Sequence, residues 1–105
     1  MNVRLITDDL LFGSKVEAMI REAGGTPTAE DGDLALTILD LTDGDTDVAV
    51  AAEFAQRAGA PVLAYYAHTN DEVRTAAIAA GIDKIVPRSR MMREGPELIA
   101  ELAGT

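Results

Sequence analysis

The sequence predicts an α/β domain built on a parallel sheet, and three observations carry that prediction. Four short apolar runs, Val3 to Thr7, Leu34 to Leu41, Pro61 to Ala67 and Asp83 to Pro87, are nearly continuous rather than alternating. Strands covered by helices on both faces read this way, whereas a half-solvated strand alternates apolar and polar residues. Between the runs, apolar residues return every three or four positions, the period of one helix face. Finally, the runs close on residues with chemistry: Asp8 and Asp9, then Asp40, then Tyr66 to His68, then Arg88 and Ser89. Open parallel sheets place their sites at these carboxyl ends.

After the first strand, Phe12, Val16, Met19 and Ala23 form the inward stripe of a helix, with Lys15, Arg21 and Glu22 off it. Gly24 and Gly25 follow where a left-handed cap belongs. The next segment, "GGTPTAEDGD", is too short for a full strand–helix unit. Were "TPTAE" a strand parallel to Leu34–Leu41, only three or four residues would remain to recross the sheet, a reach of about 14 Å. A parallel crossover ordinarily needs roughly a dozen residues. The expectation is therefore a loop, hairpin arm or edge extension, no helix of two turns between Gly25 and Asp33, and a sheet of four strands.

Two arrangements of that sheet are open. Right-handed crossovers favour placing Leu34–Leu41 on the far side of the first strand in a monomer, giving order 2-1-3-4 when the four apolar runs are counted along the chain. Placed between the first strand and Pro61–Ala67 instead, it leaves one face thin, and a homodimer is expected to cover that face. The second helix is expected over Thr46 to Ala58, with Val48, Ala51, Ala55 and Ala58 inward and Gly59 ending it. The third opens on "TNDE", Thr69 to Glu72, which has capping-box spacing, and ends at Gly81. The last carries Leu98, Ile99 and Leu102 inward, with Pro96 suited to its first turn.

Composition narrows function. A chain of 105 residues fits one domain. Its net charge of −9 repels DNA, RNA and anionic membranes, and two Tyr with two Phe give no platform for stacking bases. Absent cysteine removes disulfides and thiolate chemistry. The start, "MNVRLITDDLLF", is neither a signal peptide nor a membrane span, so a soluble, cytoplasmic protein is expected. Charge is unevenly spread: seven acids fall between Glu30 and Asp47, and four of the nine bases between Lys84 and Arg93. "DGDTD" begins like a calcium loop, but Val48 stands where Gly is needed and Phe54 where Glu is needed. No dinucleotide or phosphate-loop glycine motif occurs.

The sequence resembles the receiver domain of bacterial response regulators along nearly its whole length. The resemblance rests on "LITDD", on "LTILDL" with its strand-end Asp, and on "APVLAYYAHTNDEVRTAAIAAGIDKIVPRS". It implies a three-layer, flavodoxin-like fold lacking the receiver's second helix. It also implies Asp40 as the phosphoacceptor position, and Asp8, Asp9 and Asp40 as ligands of a weakly held Mg²⁺. Tyr66 and Arg88 stand at the positions that contact phosphoryl oxygens, with Ala67, His68 and Ser89 as pocket neighbours. Receivers carry a short hydroxyl where this chain has Tyr66, a Lys where it has Arg88, and usually a Pro where it has Ser89. Arg keeps the charge but offers a planar fork instead of a compact ammonium. The expected role is a stand-alone, non-enzymatic signalling module that binds a protein partner and is degenerate for phosphorylation. A working Mg²⁺-dependent phosphoacceptor is the alternative. A small-ligand or enzymatic domain is a third reading, disfavoured because so small a sheet leaves little room for a cofactor.

Overall fold

The computed structural model describes residues 1–104. Its strands are β1 (Asn2–Ile6), β2 (Thr26–Thr28), β3 (Leu34–Leu41), β4 (Val62–Tyr66) and β5 (Lys84–Pro87); its helices are α1 (Leu10–Glu22), α2 (Val48–Gln56), α3 (Asp71–Ala79) and α4 (Arg88–Ala103). All pairings are parallel, and the strand order is β2-β1-β3-β4-β5. The class is the expected α/β three-layer parallel sheet, with five strands instead of four.

The correction lies in "TPT". It forms a parallel edge strand on β1, pairing Asn2 with Thr26 and Arg4 with Thr28. β3 lies between β1 and β4, so the favoured arrangement, with Leu34–Leu41 at the edge beyond the first strand, is overturned. The chain recrosses β1 because β2 stops at Thr28, two residues earlier than "TPTAE" suggested. Pairing resumes where Leu34 meets Asn2, so the return spans two strand spacings and descends two residues, about 12 Å in all. Six Cα steps reach roughly 20 Å. Asp33 helps turn the chain with a left-handed backbone, φ 57°, which Asp tolerates better than most residues. The expected absence of a helix between Gly25 and Asp33 holds.

Two core layers flank the sheet. On one side Val3, Leu36, Ile38, Leu63, Tyr65 and Val86 meet Phe12, Val16 and Ile20 of α1 and Met91, Leu98 and Ile99 of α4. On the other, Leu39, Leu41, Val62, Ala64 and Tyr66 meet Val48, Ala52 and Ala55 of α2 and Val73 and Ala77 of α3. α1 packs directly on β1 and β2, and the right-handed rule for parallel crossovers puts the return from β2 to β3 on the opposite, α2–α3 side. There α2 lies over β3, and α3 over β4 and β5. The β1–β2 half of that side has no helix stacked on it among the described residues.

Helix ends follow local chemistry. Asp9, Asp47 and Asn70 cap α1, α2 and α3 by accepting from the backbone N–H groups of Phe12, Val50 and Val73. The α3 cap is thus one residue later than the "TNDE" box implied, and α2 is shorter than Thr46–Ala58. Pro96 is not in a first turn: α4 starts at Arg88 behind Pro87, and Pro96 lies inside it. Its missing N–H removes the ordinary i+4 donor to the Met92 carbonyl, on a residue that is exposed to solvent. Among the described residues, no helix is long and apolar enough to cross a membrane.

The turn from α1 into β2 rests on Gly24, whose φ is 89°, with Gly24 N–H bonded to the Arg21 carbonyl at 3.0 Å and Gly25 N–H to that of Ile20 at 2.8 Å. A Cβ on Gly24 would meet nothing within 4 Å. The expected cost of Gly24→Ala is therefore purely conformational, roughly 1–2 kcal/mol, readable as a lower urea midpoint with unchanged slope.

Candidate functional site

The carboxyl end of β3 extends past the last pairing with β1, in which Ile6 meets Leu39. Asp40 is consequently flanked by Thr7, just beyond β1, and by Tyr65, its register partner on β4. The Thr7 hydroxyl donates to Asp40 Oδ2 at 2.5 Å. Asp40 Oδ1 accepts from both the backbone N–H of Thr42, at 2.8 Å, and its hydroxyl, at 2.6 Å. This is an Asx turn that bends the chain out of the strand. Three donors thus hold one half-buried carboxylate.

Asp9 is committed elsewhere. Its Oδ1 caps α1 through Phe12 N–H at 3.0 Å, and its Oδ2 lies 3.8 Å from Arg88 Nη2. The Arg88 guanidinium also stacks 4.2 Å from the Phe12 ring centroid. Arg88 therefore joins the first turns of α1 and α4, and its recorded ion pair is with Asp9 rather than Asp40. Both partners are substantially exposed, so the pair contributes at most about 1 kcal/mol.

Thr7, Asp8, Asp9, Asp40, Thr42, Asp43 and Thr46 rim a cleft of about 420 Å³ whose apolar floor is Ile6, Leu39 and Ala51. Asp8, Asp9 and Asp40 are thus brought together at one opening, with Asp8 exposed on the rim. Tyr66, Ala67, His68, Arg88 and Ser89 do not line it. Tyr66 is buried in the α2–α3 core layer, His68 is exposed after β4, and Ser89 is exposed on the first turn of α4.

Of the residues of the Mg²⁺ site implied by the resemblance, Asp9 and Asp40 are already engaged in this arrangement. A hard cation needs several oxygens free to converge on it. Here both oxygens of Asp40 accept hydrogen bonds, and Asp9 caps a helix while facing a guanidinium. Among the described residues, no three acidic or imidazole side chains are placed to hold a metal ion.

Three contributors were missed by sequence reasoning. Thr7 and Thr42 carry weak signals, a hydroxyl closing a strand and an Asp-x-Thr turn spacing. Tyr65 gives none beyond its place in a run. It is fully buried, its ring meets Phe12 edge to face at 5.1 Å, and its hydroxyl finds no hydrogen-bond partner among the described residues. Burial pushes that hydroxyl well above the usual phenol range, and the Asp40 carboxylate adds to the shift. The Thr7 hydroxyl, which lies near the phenol but donates to Asp40 and makes no hydrogen bond of good geometry with Tyr65, and the Arg88 guanidinium oppose it.

No protein-family model matches the sequence, and no curated protein matches it. Solved structures do. The chain is similar to the beryllofluoride-activated DrrB receiver domain, with a TM-score of 0.78 and 14% identity over 99% of this chain and 97% of that one. A CheY-like response regulator receiver domain from Methanospirillum hungatei gives a TM-score of 0.78 and 16% identity over 98% and 93%. A protein from Burkholderia pseudomallei described as pilus assembly-related gives 0.74 and 16% over 99% and 90%. At these identities the likeness establishes a shared fold, that of the response-regulator receiver domain.

Thr7→Val removes a donor to Asp40 and the acceptor of the Asp9 N–H, which lies 3.0 Å from it. The expected loss is about 1.5–3 kcal/mol by urea unfolding, and less for Thr42→Val, which keeps its backbone donor. Tyr65→Phe deletes an unpaired buried hydroxyl and is expected to be neutral or to stabilise by up to about 1 kcal/mol at neutral pH. In alkali the two proteins diverge. Below the unfolded phenol pKa of about 10, both states hold the proton. Above it the unfolded chain loses a proton that the folded one keeps, so stability falls by up to about 1.4 kcal/mol per pH unit. Tyr65→Phe should show a shallower alkaline fall than the native chain.

Proposed function

We propose that this chain, which has the receiver fold, is a signalling module that works by binding a protein partner at its carboxyl-end face, without phosphoryl transfer to Asp40. The hydrogen-bond set around Asp40 carries this reading. A carboxylate whose two oxygens are held by Thr7 and Thr42 must give up those donors before it attacks a phosphorus centre. In-line phosphoryl transfer also depends on groups that stabilise charge on the equatorial oxygens. Tyr66 lies in the core and Arg88 is bound to Asp9 and Phe12, so neither stands ready for that task.

The same face has features suited to a protein. Leu10 and Leu11, at the start of α1, are 82% and 85% exposed, directly after the Asp8–Asp9 pair. An apolar pair beside an acidic rim is complementary to a partner segment carrying aliphatic and basic side chains. The phosphoacceptor alternative draws on the gathering of Asp8, Asp9 and Asp40 at one cleft. On either reading the chain turns over no substrate of its own.

Acetyl phosphate with Mg²⁺, followed by intact-mass measurement, separates the two. No phosphoryl adduct is expected within an hour. Absence of one oxygen contact in such a transition state costs about 2–4 kcal/mol, or two to three orders of magnitude in rate. Stoichiometric labelling that disappears in Asp40→Asn would overturn the proposal. Beryllofluoride is likewise expected to leave the amide spectra of Asp40 and Thr42 unchanged.

A further inference from the structure

We infer that the helix-free half of the sheet, on the side carrying α2, is an interface between two copies of this chain. The face is built around Phe54. Of the four aromatic residues, Phe12, Tyr65 and Tyr66 are buried, and Phe54 on α2 is 44% exposed. One turn before it, Val50 is 62% exposed. Two guanidinium groups flank the ring: Arg4 of β1 lies 5.1 Å from its centroid and Arg57 lies 5.9 Å away. Aromatic and arginine side chains are the groups most enriched at the centres of protein interfaces.

The fold explains why this ring is open. Residues on β1 alternate between faces, so Val3 and Leu5 meet α1 while Arg4 points to the other side. The return from Thr28 to Leu34 is too short to form a covering helix, and α2 lies over β3. The side chain of Arg4, reaching across to Phe54, is what shields this part of β1.

Charge chooses the occupant. In a chain of net charge −9, this face holds two of the nine bases, with Arg57 also 3.9 Å from the exposed Glu53 of its own helix. The return loop, with exposed Glu30, Asp31 and Asp33, leaves β2 opposite Arg4 and rejoins the sheet opposite Asn2. A two-fold interface must be self-complementary, because the same patch serves both subunits. Here the basic half, Arg4 and Arg57, can meet the acidic loop of a second copy while the Phe54 rings pack about the axis. Arg4, Val50, Phe54 and Arg57 do not line the Asp40 cleft, so the inference stands whether or not Asp40 accepts a phosphoryl group.

Sedimentation equilibrium of the full chain tests it. The expected mass is twice the 11.1 kDa of the chain in the micromolar range. Phe54→Ala and Arg4→Glu should each weaken the dimer about tenfold or more. Val50→Asp, at an exposed position that cannot disturb the core, should do the same while leaving the far-ultraviolet spectrum unchanged. Reversing the loop with Glu30→Arg and Asp31→Arg should also weaken it, and adding Arg4→Glu and Arg57→Glu to that chain should restore it. A monomer at every concentration overturns the inference. So does a dimer that Phe54→Ala, Arg4→Glu and Val50→Asp leave unmoved.

Discussion

The five residues between Thr28 and Leu34 constrain most of what is distinctive in this molecule. They must carry the chain from one edge of β1 to the other while both flanking strands stay parallel to it. Such a return is possible only if β2 is short and its end lies near the start of β3. Three paired residues satisfy that geometry. A longer β2 would raise the distance to be covered and shorten the linker covering it, with each added residue acting twice. The irregular register between Asn2 and Val3 belongs to the same compromise, since Asn2 meets Leu34 while Val3 meets Leu36. Ala35 is an extra residue that lets β3 enter the sheet and still send Leu36 and Ile38 to the α1–α4 core.

From that constraint follows an asymmetry between the two core layers. The α1–α4 side is filled by large side chains, including Phe12, Met91, Leu98 and the ring of Tyr65. The helices of the α2–α3 side contribute mainly small side chains, Ala52, Ala55 and Ala77 beside Val48 and Val73. Nothing comparable covers β1 there, and the apolar floor of the cleft, Ile6 with Leu39 and Ala51, lies along this margin. The cleft and the exposed Phe54 are two ends of one structural omission.

At the carboxyl ends the competing demand is for hydrogen-bond donors. A half-buried carboxylate needs partners for its oxygens. In this fold Asp40 obtains them from neighbours fixed by the backbone: Thr7 by its place beyond β1, Thr42 by the Asx turn. Arg88, the nearest cation in sequence logic, is drawn off by the Phe12 face and by Asp9. A cluster that reads as a cation site in one dimension is thereby satisfied by hydroxyls and an N–H in three.

What the sequence alone determined is the architecture that depends on local pattern. Continuous apolar runs, a helical stripe through Phe12 and Val16, and glycines at the caps specify parallel strands alternating with helices, because burial and backbone conformation act over a few residues. The approach of Asp8, Asp9 and Asp40 to one cleft was legible too, since strands of a parallel sheet all end on the same side. Tertiary structure decided the rest. Whether "TPT" pairs depends on a distance across β1 that no window of sequence contains. The direction of Arg88 depends on an aromatic face supplied by another helix, and Pro96 lies within α4 because the helix begins immediately after β5. The partners of Asp40 were settled by register, a relation between strands that hydrophobic pattern constrains only in part. Each of these is a long-range geometric outcome, and the energy that fixes it comes from residues far apart in the chain.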